Sequence, residues 1–137
     1  MLSTASNRSP PAAQENGTVL VIEDDAMVRE GLCTLLDASG FRVIEVPSVQ
    51  AAEHVVGSTN FAPSVILADL HLSDGSGSTA FEVLPPFIER IGFGGPVIVI
   101  SGDTSPVCPF NARRLGWTFL VKPFTSDTLL STILNSR

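Results

Sequence analysis

The run Val19-Leu20-Val21-Ile22 is apolar at every position and stops at three consecutive acids, Glu23-Asp24-Asp25. A strand with one wet face alternates apolar and polar residues, so an unbroken branched run belongs to a strand covered on both faces, as in a parallel sheet. Parallel strands cannot be joined by a tight turn. Each pair needs a crossover, usually a helix packed on the sheet.

The rest of the chain supplies those crossovers. Val28, Leu32, Leu35 and Leu36 recur at helical spacing, and Gly40 can end their helix in the left-handed conformation. Phe41 to Val46 reads as the second strand. Ser48 is a candidate N-cap for a short helix with Ala51, Ala52, Val55 and Val56 inward, closed by Gly57. Ser64 to Asp69 is the third strand and Leu70 to Gly77 a loop turning at Ser73-Asp74-Gly75. Phe81, Leu84, Ile88 and Ile91 mark a third helix, which Pro85-Pro86 should kink or split. Val97 to Ser101 is the fourth strand. Pro106 and Pro109 weaken the next helix, of which only Phe110 to Leu115 reads cleanly. Trp117 to Val121 is the fifth strand, and Thr125 caps a last helix with Leu129, Leu130, Ile133 and Leu134 on its apolar stripe. Five alternations with right-handed crossovers predict a doubly wound α/β sandwich.

A chain of 137 residues with 44% hydrophobic residues has enough apolar material for one packed domain, which excludes a stapled mini-protein or a wholly disordered chain. Residues 1–17, rich in Ser, Asn, Pro and Ala, read as a disordered tail or linker, and residues 18–137 as the domain. A net charge of −6 leaves no basic stripe for phosphates, so neither direct nucleic acid binding nor membrane binding is expected. Cys33 and Cys108 have no metal-ligand spacing and fit buried thiols in a reducing compartment. With no signal-peptide core and no long apolar run, a cytoplasmic protein is expected.

In an open α/β sheet, ligands bind outside the carboxyl ends of the strands. The residues there are Glu23, Asp24 and Asp25 after strand one, Asp69 after strand three, Ser101 after strand four and Lys122 after strand five. Converging carboxylates repel one another unless a cation answers them or one stays protonated. An all-oxygen site suits a hard divalent ion, and Mg²⁺ takes one or two carboxylates together with waters and phosphate oxygens. Lys122 is the only lysine among eight basic residues, a compact charge at the rim. These parts meet the needs of phosphoryl transfer to a carboxylate, with Asp69 as nucleophile and Ser101 donating to a phosphoryl oxygen.

The motifs Val19-Leu20-Val21-Ile22-Glu23-Asp24-Asp25, Ala68-Asp69-Leu70, Val99-Ile100-Ser101-Gly102 and Val121-Lys122-Pro123-Phe124-Thr125, in this order, resemble the receiver domain of two-component response regulators. The resemblance runs from Thr18 to Arg137. It implies a flavodoxin-like three-layer fold with a five-stranded sheet in the order 2-1-3-4-5. It implies that Asp69 accepts phosphate from a sensor histidine kinase or a histidine phosphotransfer protein. It further implies that Asp24, Asp69 and the backbone carbonyl of His71 bind Mg²⁺, with Glu23 acting through water. Lys122 would pair with the phosphoryl group, Ser101 would hydrogen-bond it, and Lys122-Pro123 would be a cis peptide. Phe119, three residues before Lys122, stands at the family's aromatic switch position. Such a domain is a phosphorylated switch for a downstream protein target rather than an enzyme. Output is expected from protein binding or from a further domain of a longer parent.

Other readings compete. A magnesium-dependent phosphatase of the haloacid dehalogenase type also uses an Asp nucleophile, but it needs a second Asp where His71 stands. A flavodoxin-like carrier would repel its own cofactor phosphate at Glu23-Asp24-Asp25. A pseudo-receiver would keep the fold and bind a partner without phosphorylation. Asp25 and Asp74 read as solvated loop acids, His54 as a surface helix residue, and the His71 side chain as exposed beside the site. The proline-broken third and fourth helices depart from the family pattern and put its signalling surface in question.

Overall fold

The computed structural model describes residues 17–59, 62–72, 78–103 and 105–136. The expected tail up to residue 16 and the turn at Ser73-Asp74-Gly75 lie outside them. Strands and helices alternate as β1 (Thr18–Ile22), α1 (Ala26–Ala38), β2 (Arg42–Val46), α2 (Val49–Thr59), β3 (Val65–Asp69), α3 (Ala80–Ile91), β4 (Val97–Ser101), α4 (Val107–Leu115), β5 (Thr118–Val121) and α5 (Ser126–Ser136). The sheet order is β2-β1-β3-β4-β5, with every pairing parallel. β3 and β4 are buried at every residue, and β1 at all but Thr18.

The pleat divides each strand between two cores. Leu20, Ile22, Ile66, Ala68, Val97 and Val99 face α2 and α3, where Ala52, Val55, Leu84 and Phe87 meet them. Val19, Val21, Val65, Leu67, Ile98 and Ile100 face α1 and α5, against Leu32, Leu36, Leu129 and Ile133. This two-sided burial is why the strands carry continuous apolar runs. Both cysteines are buried, and neither is in a disulfide. Among the described residues, no helix is long and apolar enough to cross a membrane.

Three expectations need correction. Gly57 does not close α2, which continues to Thr59. A terminating glycine takes a positive φ, as Gly40 does after α1 at 91°, and Gly57 does not. Of the kink or split expected at Pro85-Pro86, the split does not occur, since α3 is a single helix of 12 residues. Leu84 and Phe87 are fully buried. Their burial, about 1.5–3 kcal/mol each, offsets much of a cost of about 3 kcal/mol per interior proline. The ends are also fastened: the Thr79 N–H donates to the Glu82 carboxylate at 2.8 Å, and Gly92 turns left-handed. Finally, α4 begins at Val107, three residues before Phe110. Pro106 is its N-cap and Pro109 lies in its first turn, where N–H groups lack intrahelical partners, so the prolines remove little.

Candidate functional site

Parallel strands all point the same way, so the residues that follow β1, β3, β4 and β5 meet at one rim. The β3–β4 register pairs Asp69 with Ile100, and the β4–β5 register pairs Ser101 with Val121. The Lys122 N–H extends that ladder, donating to the Ser101 carbonyl at 2.8 Å. The Lys122–Pro123 peptide is cis. Glu23 leaves β1 with its N–H on the Val46 carbonyl of β2 at 3.1 Å.

The side chains converge. One carboxylate oxygen each from Glu23, Asp24 and Asp69 lies within 4.8 Å of the others. Glu23 and Asp69 are buried, and Asp24 is more open to solvent. Lys122 Nζ stands 3.2 Å from Asp69 Oδ1 and 3.9 Å from Glu23 Oε1. One ammonium therefore faces three acids, so two negative charges are unanswered when all are ionised. Glu23, buried within this cluster, has its pKa pushed up to about 7. Burial is the main cause, opposed next by a hydrogen bond from the Asp25 N–H; the Asp69 charge raises it, Lys122 lowers it, and contact with Asp24 raises it.

A hard divalent cation fits this donor set. The donors are all oxygens, the local charge is negative, and Glu23 Oε1 is buried without a hydrogen-bond partner among the described residues. A buried polar atom left so is costly unless a bound cation or water satisfies it.

Ser101 is buried at the end of β4, and its Oγ accepts from the Asp103 N–H at 2.9 Å. As a hydroxyl it also keeps one proton of its own to donate. The His71 side chain is exposed, with Nε2 at 3.8 Å from Asp103 Oδ2. Phe119 is partly buried and packs on the α2–α3 core. Its neighbour Trp117 stacks on Phe81 of α3 with centroids 6.2 Å apart.

Three supporting residues escaped the sequence reading. Asp25, expected to be merely solvated, is the N-cap of α1: its Oδ1 accepts from the Met27 and Val28 N–H groups at 2.9 and 3.2 Å. Its own N–H holds Glu23 Oε2 at 3.1 Å. An acid just before an amphipathic helix was the available signal. Arg29 donates to the Glu23 carbonyl at 2.8 Å and pairs with Glu45 at 3.4 Å, locking the start of α1 to β2. Nothing in sequence spacing announces that contact. Asp103 fastens the loop after β4, its Oδ1 accepting from the Ser105 N–H at 2.8 Å. The Asp-x-Ser spelling, a turn signal, was available but went unused.

Comparison with known proteins agrees with this geometry. The acid tolerance regulatory protein ActR of Rhizobium meliloti is 29% identical over 118 residues, covering 85% of this chain and 58% of ActR. The KDP operon transcriptional regulatory protein KdpE of Escherichia coli is 32% identical over 107 residues, covering 77% of this chain and 44% of KdpE. The chain thus spans about half the length of these relatives. The Vibrio cholerae chemotaxis protein CheY4 superposes with a TM-score of 0.73 at 25% identity, covering 88% of this chain and 98% of CheY4. The family model for the response regulator receiver domain matches residues 19–134, and the chain belongs to that family.

Proposed function

We propose that Asp69 is the phosphoacceptor of this receiver domain, that Glu23, Asp24, Asp69 and the His71 carbonyl hold Mg²⁺, and that residues 18–137 form the switch. The observation that carries the reading is the lone ammonium, Lys122 Nζ, 3.2 Å from Asp69 Oδ1 inside a cluster of three acids. When bound, the metal would neutralise phosphoryl oxygens that the carboxylates alone would repel. In the transfer, a carboxylate oxygen of Asp69 forms a P–O bond as the P–N bond to a donor imidazole breaks. The imidazole leaves with the electron pair, and an acyl phosphate results. Lys122 offsets the charge spreading over the phosphoryl oxygens, and the Ser101 hydroxyl turns to donate to one of them. Phe119, on the strand that leads into Lys122, would follow that turn inward.

The donor on this reading is a sensor histidine kinase or a histidine phosphotransfer protein in the cytoplasm. The domain signals rather than turning over substrate, and its target is a protein. KdpE is named as a transcriptional regulator and is more than twice as long as its matched part. We assign contact with DNA in such proteins to the remainder, because this unit is acidic at −6. Nothing in the family match favours the phosphatase reading. Incubation with acetyl phosphate and Mg²⁺ followed by Phos-tag electrophoresis tests the proposal. A shifted band is expected for the wild type and none for Asp69→Asn, and an undiminished shift in the variant would refute the assignment.

A further inference from the structure

Glu23 is held at all of its polar atoms but one. Its N–H donates to the Val46 carbonyl of β2 at 3.1 Å, its carbonyl accepts from Arg29 Nη1 at 2.8 Å, and its Oε2 accepts from the Asp25 N–H at 3.1 Å. Oε1 is the polar atom of Glu23 without a hydrogen-bond partner among the described residues, and it lies 3.9 Å from Lys122 Nζ in the acid cluster. Within this cradle Arg29 joins three elements. It stands near the start of α1, its Nη1 holds the carbonyl at the end of β1, and its Nε meets Glu45 Oε1 of β2 at 3.4 Å. The two side chains are only 20% and 11% exposed, unlike a solvated surface pair. A planar guanidinium can hold a carbonyl and a carboxylate at once from separate nitrogens, whereas a lysine ammonium has a single nitrogen.

We propose that Arg29 is a positioning residue for the metal site: by holding the Glu23 carbonyl against β2, it fixes the turn that presents Glu23 Oε1 and the Asp24 carboxylate to Mg²⁺. The inference rests on the reading, given above, that this acid cluster holds the ion. Only Asp24 and Asp25 lie between Glu23 and the first residue of α1, so the Glu23–Asp24 peptide sets where both carboxylates depart. Without the guanidinium, the Glu23 carbonyl loses its partner, that peptide can rotate, and the two ligands spread together. The sign of the effect separates positioning from charge. Removing a cation from beside a cation site tightens Mg²⁺ binding by charge alone, while loss of positioning weakens it.

Calorimetric titration of the full chain with MgCl₂ at neutral pH, beside circular dichroism melts in EDTA, reads affinity and folding separately. Arg29→Met should raise the Kd for Mg²⁺ about tenfold in protein that is still folded. Arg29→Lys keeps the charge but cannot make both contacts, and should weaken binding by more than about threefold. Glu45→Gln loses the ion pair yet keeps an acceptor for Arg29 Nε, and should stay within about twofold of the wild type. A wild type that binds Mg²⁺ and an Arg29→Met protein that binds it as well or better overturn the positioning role and leave the metal reading standing. If the wild type takes up no Mg²⁺, the metal reading falls and the inference falls with it. If Arg29→Met does not fold, Arg29→Lys decides, and a wild-type Kd there overturns the role. A loss in Glu45→Gln as large as in the Arg29 variants also overturns it, since the ion pair and not the hold on Glu23 would then carry the effect.

Discussion

The two ends of the sheet are built from the same strands and have opposite chemistry. At the carboxyl end, Glu23, Asp69 and Ser101 are buried polar residues beside a partly exposed ammonium. At the amino end, two adjoining hollows of about 290 and 430 Å³ share Gly94 and Gly95, and among the described residues no ionisable side chain lines either. Their walls are glycine, proline, hydroxyl and apolar groups such as Phe93 and Ile91. The difference teaches that room does not locate function. A buried charge imbalance does, because the fold bears its cost only where something answers it.

The sharpest way to break the contrast is to titrate each end with Mg²⁺. By calorimetry at neutral pH, Asp24→Asn should lower affinity at least about tenfold, since it removes a ligand and a charge together. The wild type should bind one ion per chain, and an Asp24→Asn protein that binds Mg²⁺ normally would mean the metal sits elsewhere.

Gly95→Ala tests the other end. A Cβ there would stand 2.8 Å from the Phe93 ring and 3.0 Å from the Ser64 carbonyl oxygen, and the latter is backbone that cannot swing aside. The expected cost is about 2 kcal/mol in urea denaturation. Mg²⁺ affinity should be unchanged, because the clash lies at the far end of the strands. A fall in affinity would show that the two ends communicate.

What the sequence revealed follows the same division. Strands with both faces buried are legible because every position must be apolar, and the rim acids are legible because they end such runs. The prolines misled because their effect depends on where a helix begins. Pro106 and Pro109 look disruptive until α4 is seen to start at Val107, and Pro85-Pro86 look disruptive until Leu84 and Phe87 are seen fully buried beside them. Long-range partnerships such as Arg29 with Glu45 and His71 with Asp103 depend on the path of loops, which spacing does not encode. Asp25 was readable as a cap but not as the donor that holds Glu23.

Glu23 supplies the smallest effect. Its pKa rises from an ordinary 4.5 in the unfolded chain to about 7 in the metal-free fold. Between those values the unfolded chain has lost its proton and the folded chain keeps it, so unfolding releases a proton and raising the pH favours unfolding. The stability this carboxyl contributes is therefore complete below about pH 4.5 and lost as pH climbs through 7. Glu23→Gln, which cannot ionise, should be more stable than the wild type at pH 8 by an amount on the order of 1 kcal/mol in metal-free buffer, and no more stable at pH 5. Saturating Mg²⁺ should reverse the ranking at pH 8, since it answers the Glu23 charge in the wild type and gains nothing from the amide. Thermal melts at the two pH values, with and without the ion, read all four arms; a Glu23→Gln advantage at pH 8 that persists in Mg²⁺ would place Glu23 outside the metal's reach.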